Sequence, residues 1–289
     1  MRFPTVFNRI SSGTGAADPL KPQARPDVMP TCAMPSRTTG QVDGLSQYLE
    51  NRGREHRAVS PISRGMLERG TEAVDTVRKQ IPMRGNVRTD LDQTEQQAAH
   101  RLYASRYPVT ANMRMRLNSG HKLPLPELKA AVISAASARV TGAGNCDEFQ
   151  SAALLAAGKK LRQGERLVAT VNDAKDHTFV QMESQRPDGT MRVVVLDAWA
   201  NGPAILAEDC AYAQMNPKMH IGEVTDRVDA IKADRIATNL VKAHNKDSVS
   251  LAALQATLER QHSKPSPGGF IYDELHVSGQ TLVAPGEDL

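Results

Sequence analysis

The chain has 289 residues, of which 24% are charged and only 4% aromatic, with a formal net charge of +4 and a pI near 9.0. That length supports one or two domains, and the shortage of aromatic rings leaves Ala, Leu, Val, Ile and Met to fill the core. Charge this mild, with no recognition motif beside it, does not point to nucleic acid, and no apolar run reaches the length of a membrane span. The three cysteines, Cys32, Cys146 and Cys210, form neither a disulfide framework nor a zinc pattern, which points to a reducing compartment.

Residues 1–43 are rich in Ser, Thr, Pro and Gly, carry only Asp18, Asp27 and Asp43 as acids, and show no helical or strand period. They read as a disordered segment without the continuous apolar stretch of a Sec signal. Residues 44–122 read as a helical accessory region. Met66, Gly70, Ala73, Val74, Val77 and Ile81 mark one face of a helix, and a second helix is predicted from Asp92 to Tyr103. Arg84, Arg88, Arg101, Arg106, Arg114 and Arg116 fall between and after them. They read either as a solvated basic face or as a docking surface for an acidic partner or an anionic cofactor.

Pro126 opens a further helix, with Leu128, Val132, Ala135 and Ala136 on its buried side, that ends near Arg139. After Gly142 and Gly144 the apolar residues Phe149, Ala153, Leu154, Ala157 and Leu161 recur at steps of three and four. A helix therefore begins at or just before Cys146, Asn145 is a good N-cap residue, and the field at a helix start favours thiolate over thiol. Glu165 to Val171 reads as a strand. Asp176 to Met182 and Met191 to Leu196 read as a hairpin about Arg186-Pro187-Asp188-Gly189-Thr190, giving a sheet of at least three strands covered by the cysteine helix. Beyond the Asn201-Gly202-Pro203 loop, helices are predicted from Asp226 to His244 and from Ser250 to Gln261. A linker from Ser263 to Gly269 and a short strand from Phe270 to Tyr272 follow.

The hairpin brings His177, which opens one strand, and Asp197, which closes the other, to the same end of the sheet. A register that sets His177 opposite Trp199 puts both side chains on one face, and a slip of one residue separates them. With Cys146 as nucleophile, His177 as proton carrier and Asp197 as orienter, the three residues fit acyl transfer. The N–H of Cys146 suits an oxyanion, with Asn145 or the Trp199 indole as candidates for the second donor. Zinc at the same three residues lacks a fourth ligand. Cys210 follows Glu208 and Asp209, and acidic neighbours raise a thiol pKa.

The order Gly-Asn-Cys-Asp-Glu, Asp-His-Thr-Phe-Val and Leu-Asp-Ala-Trp resembles the transglutaminase-like branch of papain-fold enzymes. It also resembles the HopX/AvrPphE family of type III effectors from plant-pathogenic bacteria. The match covers Gly142 to Trp199, and Ala198 stands where many of these enzymes have proline. The resemblance implies an α+β, papain/transglutaminase-like catalytic domain over residues 123–289, in which the helix bearing Cys146 packs on a small antiparallel sheet bearing His177 and Asp197. It implies that residues 1–43 serve secretion and translocation through a type III system. The activity implied is thiol-dependent acyl transfer (protease, deamidase or transglutaminase) on a host protein inside the host cell. No cofactor is expected beyond activation by a host factor. The alternative is a non-catalytic effector of the same fold that binds a host protein through its basic helical region.

Overall fold

The computed structural model describes residues 44–120, 128–172, 176–213, 219–224, 226–246 and 271–278. The expectations for residues 1–43, Pro126, the helix from Ser250 and the linker from Ser263 lie outside the described residues. The architecture is α+β, with helices packed on a five-stranded antiparallel sheet.

Helix α1 spans Gly44–Arg54 and α2 spans Pro61–Gln80. Ser60 caps α2, its hydroxyl accepting the Ser63 N–H at 3.1 Å, and Pro61 takes the first turn, where its missing donor costs nothing. The buried stripe of α2 runs through Met66, Leu67, Gly70, Ala73, Val74, Val77 and, unexpectedly for a charge, Arg78.

The single helix predicted from Asp92 to Tyr103 is instead two: α3, Arg88–Gln93, and α4, Gln97–Ala104. Glu95 and Gln96 both adopt positive φ, at 48° and 66°. The Thr94 hydroxyl accepts the Ala98 N–H at 3.1 Å, which starts α4 afresh. After α4 a π-turn from Ser105 to Val109 accommodates Pro108, whose ring cannot donate to the helix ladder, and the chain continues as α5, Thr110–Gly120.

Short strands β1, Met83–Arg84, and β2, Ala143–Gly144, pair in parallel, with α6, Lys129–Thr141, leading into β2. Helix α7, Cys146–Gly158, is buried on almost every side from Glu148 onward, as befits the central helix. It packs against α6, α2 and the last helix, α8 (Arg227–Lys246), and lies on β3 (Glu165–Asn172) and β4 (His177–Gln185). With β5, Met191–Leu196, β6, Ile205–Leu206, and β7, Met219–Val224, the sheet order is β6-β5-β4-β3-β7, antiparallel throughout. The hairpin turn closes as its sequence requires, with Gly189 at φ 82° and the Arg186 N–H donating to the Thr190 carbonyl at 2.8 Å. Among the described residues no helix is long and apolar enough to cross a membrane.

Candidate active site

The thiol is placed by the strip between α6 and α7. Gly142, at φ 70°, ends α6 in the left-handed conformation that favours glycine, its N–H bonded to the Ala138 carbonyl at 2.7 Å. The β1–β2 ladder then holds the strip, with Met83 N–H on Gly142 O at 3.1 Å and Gly85 N–H on Gly144 O at 2.9 Å. A side chain on Gly144 would bring its Cβ within 2.7 Å of the Glu148 Cβ, so only glycine lets the strip pass this close to the first turn of α7. Glu148 accepts the Asn145 N–H at 2.7 Å and is gripped by Arg106 Nε at 2.9 Å. Asn145 sits at the N-cap position, yet its Oδ1 has no hydrogen-bond partner among the described residues. Cys146 is the first residue of α7 and partly exposed, while the residues that hold it are buried.

The hairpin adopts the register that unites the other two residues. Val180 pairs with Leu196 and Met182 with Val194, so extending the ladder would set His177 opposite Trp199. His177 Nε2 lies 2.6 Å from Asp197 Oδ2. Asp197 Oδ1 accepts the Trp199 N–H at 2.9 Å and the Ala200 N–H at 3.0 Å, and the Tyr212 hydroxyl donates to Oδ2. Burial works against the Asp197 carboxylate, but the charge and hydrogen bond of His177 and the Tyr212 hydroxyl outweigh it and hold its pKa below the usual carboxylate range. For His177, burial favours the neutral ring. The adjacent Asp197 overrides that, and a hydrogen bond and charge interaction with Cys146 act in the same direction, so the imidazole pKa is raised. Asp197 occupies Nε2, and Cys146 interacts with the same ring. The structure thus brings Cys146, His177 and Asp197 together.

Rings pack around this pair. Trp199 lies 5.1 Å from the imidazole, Tyr212 meets it edge-on at 4.9 Å, and Phe179 stacks at 6.1 Å. The Trp199 indole N–H is taken by Asn86 Oδ1 at 3.1 Å, which removes it as a ready oxyanion donor. Tyr272 meets Trp199 edge-on at 5.4 Å and donates its hydroxyl to Asp176, the left-handed residue before His177, at 3.3 Å. The strand predicted at Phe270–Tyr272 reduces, within the described residues, to a bridge between Tyr272 and Val87.

Two supporting residues escaped the sequence. Burial, and then Asp197, push the Tyr212 pKa well above its ordinary value, so it remains a donor; nothing local marked it among five tyrosines. Arg78, fully enclosed, donates to the carbonyls of Ala198 at 3.2 Å, Asp197 at 3.3 Å and Gly202 at 2.9 Å, and also to that of Ala200. Its signal was visible: a charge on the stripe of Val74 and Ile81.

Several basic residues differ from the solvated face that the sequence suggested. Arg84 is buried between Asp90, at 2.6 Å, and Glu274, at 2.9 Å. Arg106 holds Glu148, Arg101 donates to the Thr141 carbonyl, and Arg88 pairs with Asp273, whereas Arg114 is exposed. The chain's own acids and carbonyls occupy most of this set. Cys210 is pushed up to about 11 mainly by burial, and the acid that adds to this is Asp197 and not its sequence neighbours. Asp209 is instead drawn to Arg52, Arg57 and Tyr48. Among the described residues no cluster of three or more His, Cys, Asp or Glu side chains is placed to hold a metal ion. A cleft of about 880 Å³ between α1 and residues 274–278 includes Arg84, Asn201 and His276 but none of the three site residues.

The pair makes a prediction about pH. An imidazole whose folded pKa is raised contributes stability that is complete below its unfolded value of about 6.5 and is lost as pH climbs through the folded value. A carboxylate whose folded pKa is lowered contributes stability above about 3.9 that is lost as pH falls. The unfolding free energy should therefore peak between about pH 4 and 6.5 and decline toward pH 9, by up to about 1.4 kcal/mol per unit from this one proton. Urea titrations of wild type and Asp197→Asn check this; an equally steep decline in the variant would assign the slope elsewhere.

No family model, curated protein or solved structure matches this chain.

Proposed function

We propose that the protein is a cysteine-dependent acyl-transfer enzyme with a transglutaminase-like, papain-type core. The observation that carries the reading is the 2.6 Å contact of His177 Nε2 with Asp197 Oδ2, with Cys146 interacting with the same ring. In this mechanism His177, kept charged by Asp197, already holds the proton of the pair, and the Cys146 sulfur attacks an acyl carbon as the thiolate. The oxyanion forms beside the first turn of α7, whose N–H groups the helix ladder leaves without partners. His177 then protonates the leaving amine, and the thioester passes to water or to an amine. Asp197 fixes the ring and balances its charge.

The resemblance of Gly142–Trp199 to HopX/AvrPphE effectors, with the acid-poor segment 1–43, supports delivery through a type III system and a host-protein substrate. Peptide cleavage, glutamine deamidation and glutamine–lysine crosslinking share one acyl-enzyme. The test presents a glutamine-rich protein with and without a fluorescent primary amine, alone and with host lysate, to wild type and Cys146→Ala. Amine incorporation, ammonia release or cleavage should be found with wild type and be absent from the variant. Equal behaviour of the two folded proteins under every condition would sink the enzymatic reading and leave the protein-binding effector in its place.

A further inference from the structure

A second cleft, of about 420 Å³, opens at the other end of α7. Thirteen residues of helix separate it from Cys146, a distance of about 20 Å at 1.5 Å per residue. Its walls carry Arg69 and Glu72 of α2, Lys159, Lys160 and Arg162 just beyond α7, and Arg227, the first residue of α8.

The acids available do not satisfy these cations. Lys160 pairs with Glu72 at 2.6 Å. Lys159 reaches Asp234 at 2.8 Å, but that carboxylate also serves Arg139 at 2.8 Å. Arg69 engages Glu165 through Nη2 alone, and its Nε and Nη1 are buried without a partner. Arg162 and Arg227 are exposed and have no acidic partner among the described residues. Two guanidiniums also converge here. Arg69 Nη1 and Arg162 Nη1 stand 3.4 and 3.8 Å from the point that a Cβ on Gly65 would occupy. Like charges gathered this way repel unless an anion lies between them. A guanidinium offers a phosphate paired N–H donors, and those of Arg162 and Arg227 are exposed for it.

We propose that this cleft binds a phosphate-bearing anion, held by Arg162 and Arg227. Its volume suits a small ligand or a single phosphorylated side chain. The contrast with Arg84 and Arg106 is specific: those cations are consumed inside the fold, whereas Arg162 and Arg227 are exposed.

Isothermal titration of the full chain in about 0.15 M salt, where diffuse surface charge is screened, provides the test. One arm uses sodium tripolyphosphate and the other a phosphoserine peptide with its unphosphorylated twin. Wild type should bind at least one phosphorylated probe at a single saturable site, and the tighter of the two names the source. Arg162→Gln/Arg227→Gln, two exposed changes whose folding is checked by melting, should weaken binding about tenfold or more, as loss of charge-assisted contacts requires. Arg114→Gln, an exposed change elsewhere, should not. Absence of saturable binding in both arms, or an equal loss in Arg114→Gln, would overturn the proposal.

Discussion

Replacing His177 with alanine is expected to slow alkylation of Cys146 by iodoacetamide at pH 6.5 by about tenfold to a hundredfold, since the thiolate is the form that reacts and His177 is the group placed to hold its proton. The reason lies in the ring's position: Asp197 keeps the imidazole charged and Cys146 is its other neighbour. Site-resolved mass spectrometry supplies its own control, because Cys210 is buried and pushed up to about 11. Cys210 should label slowly in both proteins. If Cys146 labels equally fast in the variant and the wild type, the thiol draws nothing from His177, and acyl transfer by this pair fails.

The second large effect concerns stability. Asp197→Ala removes the acceptor for His177, for the Tyr212 hydroxyl and for two backbone N–H groups, all enclosed. Leaving one member of a buried ion pair unpartnered costs about 3–5 kcal/mol, which for a domain of this size lowers the melting temperature by roughly 10 °C. Asp197→Asn keeps the shape and one of the two acceptor oxygens, enough for the Trp199 and Ala200 N–H groups, and should lose less than the alanine variant. Chemical denaturation of the three proteins checks the ranking. A loss below about 1 kcal/mol for the alanine variant, the range of a solvent-exposed pair, would mean that the pair is far more hydrated than its geometry implies.

The sequence made the hairpin legible through its turn chemistry, and the α7 start through apolar spacing and the glycines that precede it. Register was not legible from apolar alternation, because β4 is buried from His177 through Glu183 on both faces. The five-residue turn closed between Arg186 and Thr190 sets the register instead. The break at Glu95–Gln96 was hidden because both residues are ordinary helix formers, and a local cap by Thr94 overrides propensity. Strands β6 and β7 were missed: one is two residues long and the other includes Gly222 and carries no clear alternation. Tyr212 could not be found from spacing, since it reaches Asp197 from an irregular stretch fifteen residues on. Arg78 could have been, from its place on an apolar stripe.

The loop from Asp197 to Gly202 is clamped from both directions along the chain: by Arg78 and Asn86 from far upstream, and by Leu275 and Val277, which exchange backbone hydrogen bonds with Asn201. During synthesis, a chain that has emerged only as far as Ala200 already contains Cys146, His177 and Asp197, yet it lacks Tyr212 and the 275–277 segment that pins the loop. Asp197 therefore gains its final geometry only after Tyr212 and the 275–277 segment have emerged, and a nascent polypeptide carries Cys146 and His177 before it carries the contacts that fix Asp197 beside them.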